Sequence, residues 1–358
     1  FLLSGNAKLS DADQQVLQSL AGESDEELDD GALLELLNNK FPRSWQRTFC
    51  KLALLGGAPA VLAGKVSEIE DVEASCDYLR RHDLLLVPTE AEGQLRFKPD
   101  AEQVLRRQAE TVFPVEEQRQ LYLLAADWYQ QKNDPLAAFS CLLQGEHYPA
   151  ISQLLSQAGL GLLAESYLPE FAALLSRLPE EEAVSCGWMS LYTGVGYLRS
   201  RPQDVDTWLE LARNRFVAAK DPRGELLTLS QQILQYLLAD GQFEFGLMRL
   251  QRLSELTESL ADLLDPYNRL TVLFSQAMGE LFFASDLKRC EELLSQGLHE
   301  LVREQLPELQ ASFSLLQALL GIFEGRFRVA RAAIEQTVVA CQDLPDMSLR
   351  ISVFRLIA

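Results

Sequence analysis

The chain has 358 residues, 47% of them hydrophobic, and a formal net charge of −20. That length is too great for one ordinary core, so it predicts two or three domains or an elongated array. The acidic balance argues against nucleic acid and anionic membrane surfaces as main partners, because both are recognised through basic patches.

The first elements are two short helical patterns around an acidic stretch at 23–30, so residues 1–40 are predicted to be a helical and linker segment. An amphipathic helix beginning near Trp45 is then stopped by two glycines, Gly56 and Gly57. A short helix at 60–63, a helix at 71–81, and strands at 84–88 and 95–97 follow, with a closing helix at 100–111. Three helices followed by a two-stranded hairpin predict a winged-helix domain over residues 41–113.

From residue 114 to 358 the pattern is almost entirely amphipathic helices separated by short turns rich in proline, glycine and aspartate. We therefore predict an all-α array of TPR-like (tetratricopeptide-like) helical repeats over 114–358, with no strand from 115 onward. The fold class expected for the whole chain is mostly α, a small winged-helix domain followed by this superhelix. Such an array offers an extended concave surface for binding.

A recurring local signature supports the repeat. It is a small residue, then an apolar residue two positions on, then a small or apolar residue three further on. Its first residues are Gly145, Ser166, Gly241, Ser285 and Gly325, with a weaker copy at Ser200. The steps between successive copies, 21, 34, 41, 44 and 40 residues, fall after the first within the range of helix–turn–helix repeats.

Sequence patterns for catalysis are absent. The phosphate-binding loop needs Gly-x4-Gly-Lys-Ser/Thr, but Gly64-Lys65 is followed by valine and Pro59 stands five residues earlier. His299-Glu300 lacks the second histidine of a zinc-protease helix, and no Gly-x-Ser-x-Gly elbow occurs. We expect no enzyme activity, no metal site and no cofactor in this chain.

Six cysteines are scattered without a Cys-x-x-Cys pair, at positions 50, 76, 141, 186, 290 and 341. Most sit among apolar residues at helical spacing, which predicts free buried thiols in a reducing compartment. No apolar run is long enough to span a membrane and no signal-peptide pattern opens the chain. A cytoplasmic location is expected. Because the chain begins at Phe1 and stops inside an apolar periodic run, we also expect it to be a piece of a longer protein.

The winged helix is predicted not to read DNA. Its third helix, the one that would enter the groove, carries Glu70, Asp71, Glu73 and Asp77 against two arginines at its end. Four carboxylates facing phosphates would repel them. The domain is expected to serve protein contacts or regulation.

Several motifs, in their order, carry a family resemblance. They are Leu-Arg-Arg-His-Asp-Leu-Leu-Leu at 79–86, Leu-Arg-Phe-Lys-Pro at 95–99, Ala-Ala-Asp-Trp-Tyr at 125–129, Pro-Leu-Ala-Ala at 135–138, Gly-Glu-His-Tyr-Pro-Ala at 145–150 and Leu-Leu-Ser-Arg-Leu-Pro-Glu-Glu at 174–181. This order resembles the MalT-like regulators, which are large ATP-dependent LuxR-type transcription activators of the STAND class. The resemblance covers residues 30–200 by motif and the remainder by repeat style.

The resemblance implies a parent protein with a nucleotide-binding domain, a winged helix, a superhelical sensor and a DNA-binding helix-turn-helix. This chain would be its sensing and regulatory portion, binding a small-molecule inducer or an inhibitory protein on the superhelix and coupling it to the nucleotide-binding domain. ATP or ADP would belong to the parent, which could oligomerise when active. Lys98 stands where the family often places a phosphate-facing histidine, so it is a candidate phosphate contact. The alternative is a TPR-like protein-interaction scaffold with no transcriptional role.

Register predicts which residues face the groove, if inward positions lie 13, 10, 6 and 3 residues before each turn. The candidates for ligand or partner binding are Ser190, Gly194, Tyr197, Thr228, Gln231, Gln235, Ser275 and Gly279. Small and polar side chains suit a groove for a small polar ligand or a peptide. The competing interpretation is that Gly194 and Gly279 permit close helix packing.

Overall fold

A computed structural model describes residues 42–69, 86, 94–163, 168–198, 200–238, 243–304 and 306–340. The chain divides into two compact units, residues 1–147 and 148–358. The segment predicted at 1–40 and the helix predicted at 71–81 lie outside the described residues. The predicted domain boundary after residue 113 stays a prediction.

The first unit contains five described helices and two short strands. The helices are α1 Arg43–Leu54, α2 Ala60–Val66, α3 Pro99–Val112, α4 Val115–Gln131 and α5 Pro135–Gln144, and the strands are β1 Ala58–Pro59 and β2 Gln94–Leu95. The buried faces of α1 and α3 pack together around Trp45 and Phe49, whose rings meet edge to face at 5.7 Å.

The strand pairing in the short sheet differs from the predicted hairpin. Strand β2 is antiparallel to β1, with Ala58 opposite Leu95, and a separate antiparallel bridge joins Leu86 to Phe97. The bridge connects the two segments predicted to form a hairpin, whereas no strand was predicted at β1, which directly precedes the short helix predicted at 60–63. Gly57 makes this pairing possible, since its φ is +97° and a Cβ there would stand 2.5 Å from the carbonyl oxygen of Leu95. Whether 41–113 is a winged helix stays a prediction.

The second unit contains eleven described helices: α6 Tyr148–Ala158, α7 Leu168–Leu175, α8 Glu180–Ser185, α9 Gly187–Gly196, α10 Val205–Ala219, α11 Pro222–Leu238, α12 Phe243–Leu260, α13 Pro266–Gly279, α14 Leu287–Glu304, α15 Pro307–Phe323 and α16 Phe327–Ala340. Short 3-10 turns lie at Gly161–Leu163, Pro202–Asp204 and Ala261–Leu263, and one π-helical turn at Glu280–Ala284. No strand occurs among the described residues from 115 to 340.

From α9 onward, consecutive helices pack as hairpins, α9 with α10, α11 with α12, α13 with α14 and α15 with α16. The first helix of each hairpin also packs against the first helix of the next. This arrangement confirms the predicted fold class, mostly α with TPR-like helical repeats.

Two successive junctions between hairpins, α10 with α11 and α12 with α13, share one register. The Gln232 amide donates to Glu210 at 3.1 Å, and the Gln276 amide donates to Ser254 at 2.9 Å, each across 22 residues. The two donors are 44 residues apart, and so are the two acceptors, which equals the step between the signature copies at 241 and 285. The sequence period is therefore also the period of the side-chain contacts.

Two copies of the signature begin at left-handed turn residues, whereas at the copy from Gly145 the left-handed residue is the next one, Glu146. Ser285 has φ +56° and Gly325 has φ +73°, both in the left-handed region that ends a helix. The copy at 325 ends at Ala330, a small residue that lies against α15. A Cβ on Gly321 of α15 would stand 3.1 Å from the backbone nitrogen of Ala330. The copies beginning at Ser166 and Gly241 start outside the described residues.

Candidate functional site

The structure separates the eight predicted groove residues into two groups. Six are buried, and two, Tyr197 and Gln231, are half-buried. The buried six are Ser190, Gly194, Thr228, Gln235, Ser275 and Gly279.

The three buried hydroxyls bind backbone of nearby residues. Ser190 donates to the carbonyl of Ala183 at 2.7 Å, and Thr228 and Ser275 donate to carbonyls of their own helices at 2.8 and 2.9 Å. Serine and threonine commonly satisfy themselves in this way inside a helix. Ser275 was predicted to face the groove, but it is buried, and none of the three hydroxyls is presented to solvent.

The two glycines allow helices to approach closely. A Cβ at Gly194 would stand 3.0 Å from Cβ of Trp208 on α10. A Cβ at Gly279 would stand 2.8 Å from Leu250 on α12. The interpretation that these glycines permit close helix packing describes their surroundings, and Gly279 is buried and does not face an open groove. The positions counted back from each turn did not identify groove residues. A helix in this array packs against neighbours on two sides, and the count does not distinguish those sides from the open one.

Of the remaining three candidates, Tyr197 and Gln231 keep partial access and Gln235 is buried. Gln231 and Gln235 lie one turn apart on α11, and Gln235 retains 8% exposure. Tyr197, half-buried at the end of α9, packs its ring on Trp208 at 6.1 Å and lies under the Arg201 guanidinium at 5.2 Å. Two amides can each donate and accept. Their role in binding a ligand stays a prediction.

A polar network that the sequence analysis missed crosses α10, α11 and α12. The Glu210 carboxylate accepts from Arg213 and Arg249, both at 2.6 Å, and from Gln232 at 3.1 Å. Burial opposes the charge on Glu210, but these hydrogen bonds and the charge of Arg249 lower its pKa overall. Nearby, burial and then the Asp206 carboxylate raise the pKa of Tyr236.

A further ion pair joins the two helices of the α11–α12 hairpin. Glu225 on α11 is only 6% exposed and accepts from Arg252 on α12 at 2.9 and 3.1 Å. Hydrogen bonds to Glu225 and then to Glu255 raise the pKa of Arg252. A sequence signal existed, since arginines at 249 and 252 are spaced to share one face of α12, but nothing local identifies their partners.

Some polar atoms in this part of the array are buried with no hydrogen-bond partner. They are Thr193 Oγ1, Asp206 Oδ1, Gln232 Oε1, Arg249 Nε and Gln276 Oε1. Such groups are rare in folded proteins and cost free energy unless water or a ligand satisfies them. These atoms lie in the interior of the array, away from its surface.

Lys98 precedes α3 directly, and its carbonyl accepts from the Glu102 amide at 2.8 Å. Its side chain is half-buried. Phe97 beside it is buried and bridges to Leu86, which fixes the backbone at this point. A contact between Lys98 and a phosphate stays a prediction.

Four thiols lie among the described residues, and all are free: Cys50, Cys141 and Cys290 are buried and Cys186 is half-buried. Burial raises the pKa of each of the three buried thiols to about 12. Within the described ranges, no group of three or more His, Cys, Asp or Glu side chains could hold a metal ion. No helix in the described part of the chain has the length and apolar character needed to cross a membrane.

The stacked hairpins place the chain in the class of TPR-like helical-repeat folds. No family model matches the sequence, and no curated protein matches it either. A solved structure that resembles it is that of a STAND protein (signal transduction ATPase with numerous domains) with a tetratricopeptide-repeat sensor from Pyrococcus horikoshii, with a TM-score of 0.67 and 11% identity. The match covers 93% of this chain and 49% of that one, so the chain spans about half the length of that protein. At this identity the similarity shows a shared fold.

Proposed function

We propose that the chain is the sensing and regulatory portion of a STAND-class signal-transduction protein, and more specifically of a MalT-like transcription regulator. The observation that supports this most is the shared fold with a STAND protein carrying a tetratricopeptide-repeat sensor, over 93% of the chain. The order of motifs from 79 to 181 supports the MalT-like assignment. We expect no catalysis by this portion.

The sensing surface that we propose is the accessible part of α9 and α11. Gln231 and Tyr197 are half-buried there, and Gln235, one turn from Gln231, keeps 8% exposure. A small polar inducer or a regulatory protein would bind there, and ATP or ADP would bind elsewhere in the parent. To act as a signal, the effector must bind one arrangement of the parent more tightly than another.

A thermal-shift screen of small polar metabolites tests the sensor proposal. An effector at about 100 times its Kd stabilises its folded target by about 2.7 kcal/mol, which is a rise of several degrees in Tm. The Gln235→Leu variant should keep its own Tm and lose most of the rise. Gln251→Leu, an exposed glutamine on α12, is the matched control and should keep it. Equal responses of both variants would remove Gln235 from the site.

One observation favours the alternative, a protein-interaction scaffold. Large apolar side chains are exposed near two hairpin turns, with Phe245 and Met248 on α12 and Phe323 and Phe327 beside the turn between α15 and α16. Exposed apolar groups of this size are usual where proteins meet. If the scaffold is the function, Phe327→Ser should abolish capture of a partner protein by the purified chain, and no metabolite should raise its Tm.

A further inference from the structure

The C-terminal turn of α6 is bound by a side chain from far along the chain. Asn268, in the first turn of α13, accepts from the Leu160 amide at 2.7 Å and donates to the Ala158 carbonyl at 3.4 Å. These partners are 108 and 110 residues apart in sequence. Asn268 is completely buried in this contact.

Two other helices bind the same turn. Arg223, at the start of α11, donates to the Ser156 carbonyl at 2.9 Å. The buried Tyr192 hydroxyl on α9 donates to the Gly159 carbonyl. The last carbonyls of a helix have no partner within it. Here side chains from α11 and α13 bind two carbonyls at the end of α6, and α9 binds the carbonyl of Gly159, the residue that follows the helix.

Gly159 fits the turn to its receptor. Its φ is +59°, and a Cβ on it would stand 2.4 Å from the Asn268 amide nitrogen. A side chain at this position would therefore be both strained and in collision with Asn268. The contact is a shaped one between the turn and the three helices that receive it.

The reach of the contact is unusual for a repeat. In stacked arrays each repeat touches only its neighbours. Between α6 and α13, however, the chain forms the hairpins α9–α10 and α11–α12. A contact that spans both hairpins fixes the position of α13 relative to α6, so the arrangement of the intervening helices depends on it.

The receiving helices do not need this contact to begin. Asp265 caps α13 by accepting from the Asn268 backbone amide at 3.1 Å. Asp221 does the same for α11 through the Gly224 amide at 2.9 Å. The Asn268 side-chain amide also donates to the Asp265 carboxylate, and Arg223 lies 3.7 Å from that same carboxylate. Replacing Asn268 therefore also removes a contact at the start of α13, whereas Tyr192→Phe leaves that start intact. Leu160, 1% exposed, keeps the turn in place.

We propose that Tyr192, Arg223 and Asn268 form a receptor for a helix C-terminus, and that residues 156–160 of the same chain occupy it as an internal latch. With the latch closed, α6 and α13 are joined and the array is restrained in one arrangement. Release of the latch lets the hairpins from α11 onward move relative to α6. This is the conformational step by which a bound signal would act, and in that respect the inference rests on the proposed sensor function.

Hydrogen exchange measured by mass spectrometry on the whole chain, with no effector added, tests the latch independently of sensing. The variants are Asn268→Ala and the milder Tyr192→Phe, which removes only a hydroxyl. The matched control is Thr271→Ala, one turn further along α13, whose hydroxyl bonds its own helix at the Tyr267 carbonyl.

In both latch variants the Leu160 amide should exchange about tenfold faster or more, because each removes a hydrogen bond that keeps the turn closed. The body of α13 should exchange as in the unchanged protein, and the control should leave Leu160 unaffected. Two results would overturn the proposal: unchanged exchange at Leu160, or faster exchange of all α13 together with it, which would make the contact ordinary core. If Asn268→Ala fails to fold, Tyr192→Phe decides the question. If the thermal-shift screen finds no effector but exchange at Leu160 rises as expected, the sensor proposal is rejected and the latch proposal stands.

Discussion

Replacing Gly297 by alanine tests the packing of α14 against α15. Gly297 is buried, and a Cβ there would stand 2.0 Å from Cε1 of Phe313, far inside normal contact. Phe313 cannot withdraw easily, because it is fully buried and its ring lies 5.6 Å from that of Phe274. The substitution must therefore displace packed side chains.

Two opposing effects set the size of the change. Overpacking a core costs about 1–3 kcal/mol, and so short a distance places this case near the upper end. Alanine in place of glycine within a helix returns about 1 kcal/mol. The net expectation is a loss of about 2 kcal/mol, which for a unit of this size lowers Tm by about 4–8 °C.

The assay is thermal unfolding followed by circular dichroism. Gln296→Gly, at the exposed neighbouring position, gives the backbone contribution by itself. Adding Phe313→Leu to Gly297→Ala removes the ring atoms that collide, so the double variant should lose less than the sum of the two single variants. An unchanged or raised Tm for Gly297→Ala would refute the close packing of these helices.

Other consequences can be measured directly. Glu210→Gln should lower stability by about 1–2 kcal/mol at pH 7 in urea unfolding, since Arg213 and Arg249 lose a charged partner that is itself partly screened by solvent. The lowered pKa of Glu210 in the folded chain means that this advantage is present above about pH 4.3, the ordinary glutamate value, and is lost as the pH falls through the folded pKa; a difference that persists in strong acid would contradict the assignment. Alkylation of the native protein should label Cys186 well before Cys290, whose pKa burial raises to about 12, as peptide mass spectrometry would show. The chain should not shift duplex DNA in a gel at physiological salt, and salt-sensitive binding at low micromolar concentration would show that the acidic surface has been misjudged.

Local features were readable from the sequence, whereas distant contacts were not. The turn signature identified Ser285 and Gly325 because a left-handed residue is a local requirement of the backbone. The helical character of the second unit followed from periodicity. The small residues Gly194 and Gly279 were ambiguous, since both a groove and a tight helix contact favour them.

The parts of the site that failed or went unseen depend on partners remote in the chain. Glu210 becomes a shared carboxylate only because Arg249, 39 residues on, packs beside it. Asn268 finds the end of α6 108 residues earlier. No local pattern encodes such pairs, because the amino-acid types at each end are ordinary for a helix surface or a helix start. The strand β1 was missed because two residues are too few to show the alternation of a strand. The adjacent Gly57 was the one local sign that another backbone segment lies close.

The 44-residue register of α10 to α13 has a consequence for how the array can change in length. A hydrogen bond that recurs at one fixed interval means that a unit of that size carries its own connecting surface at both ends. Such a unit can be duplicated or lost in a single genetic event without leaving unmatched faces at the joint. Insertions of any other length would put each glutamine opposite the wrong side chain. Because α10 to α13 lie within the span that Asn268 joins to the end of α6, gain or loss of such a unit here would also break that contact.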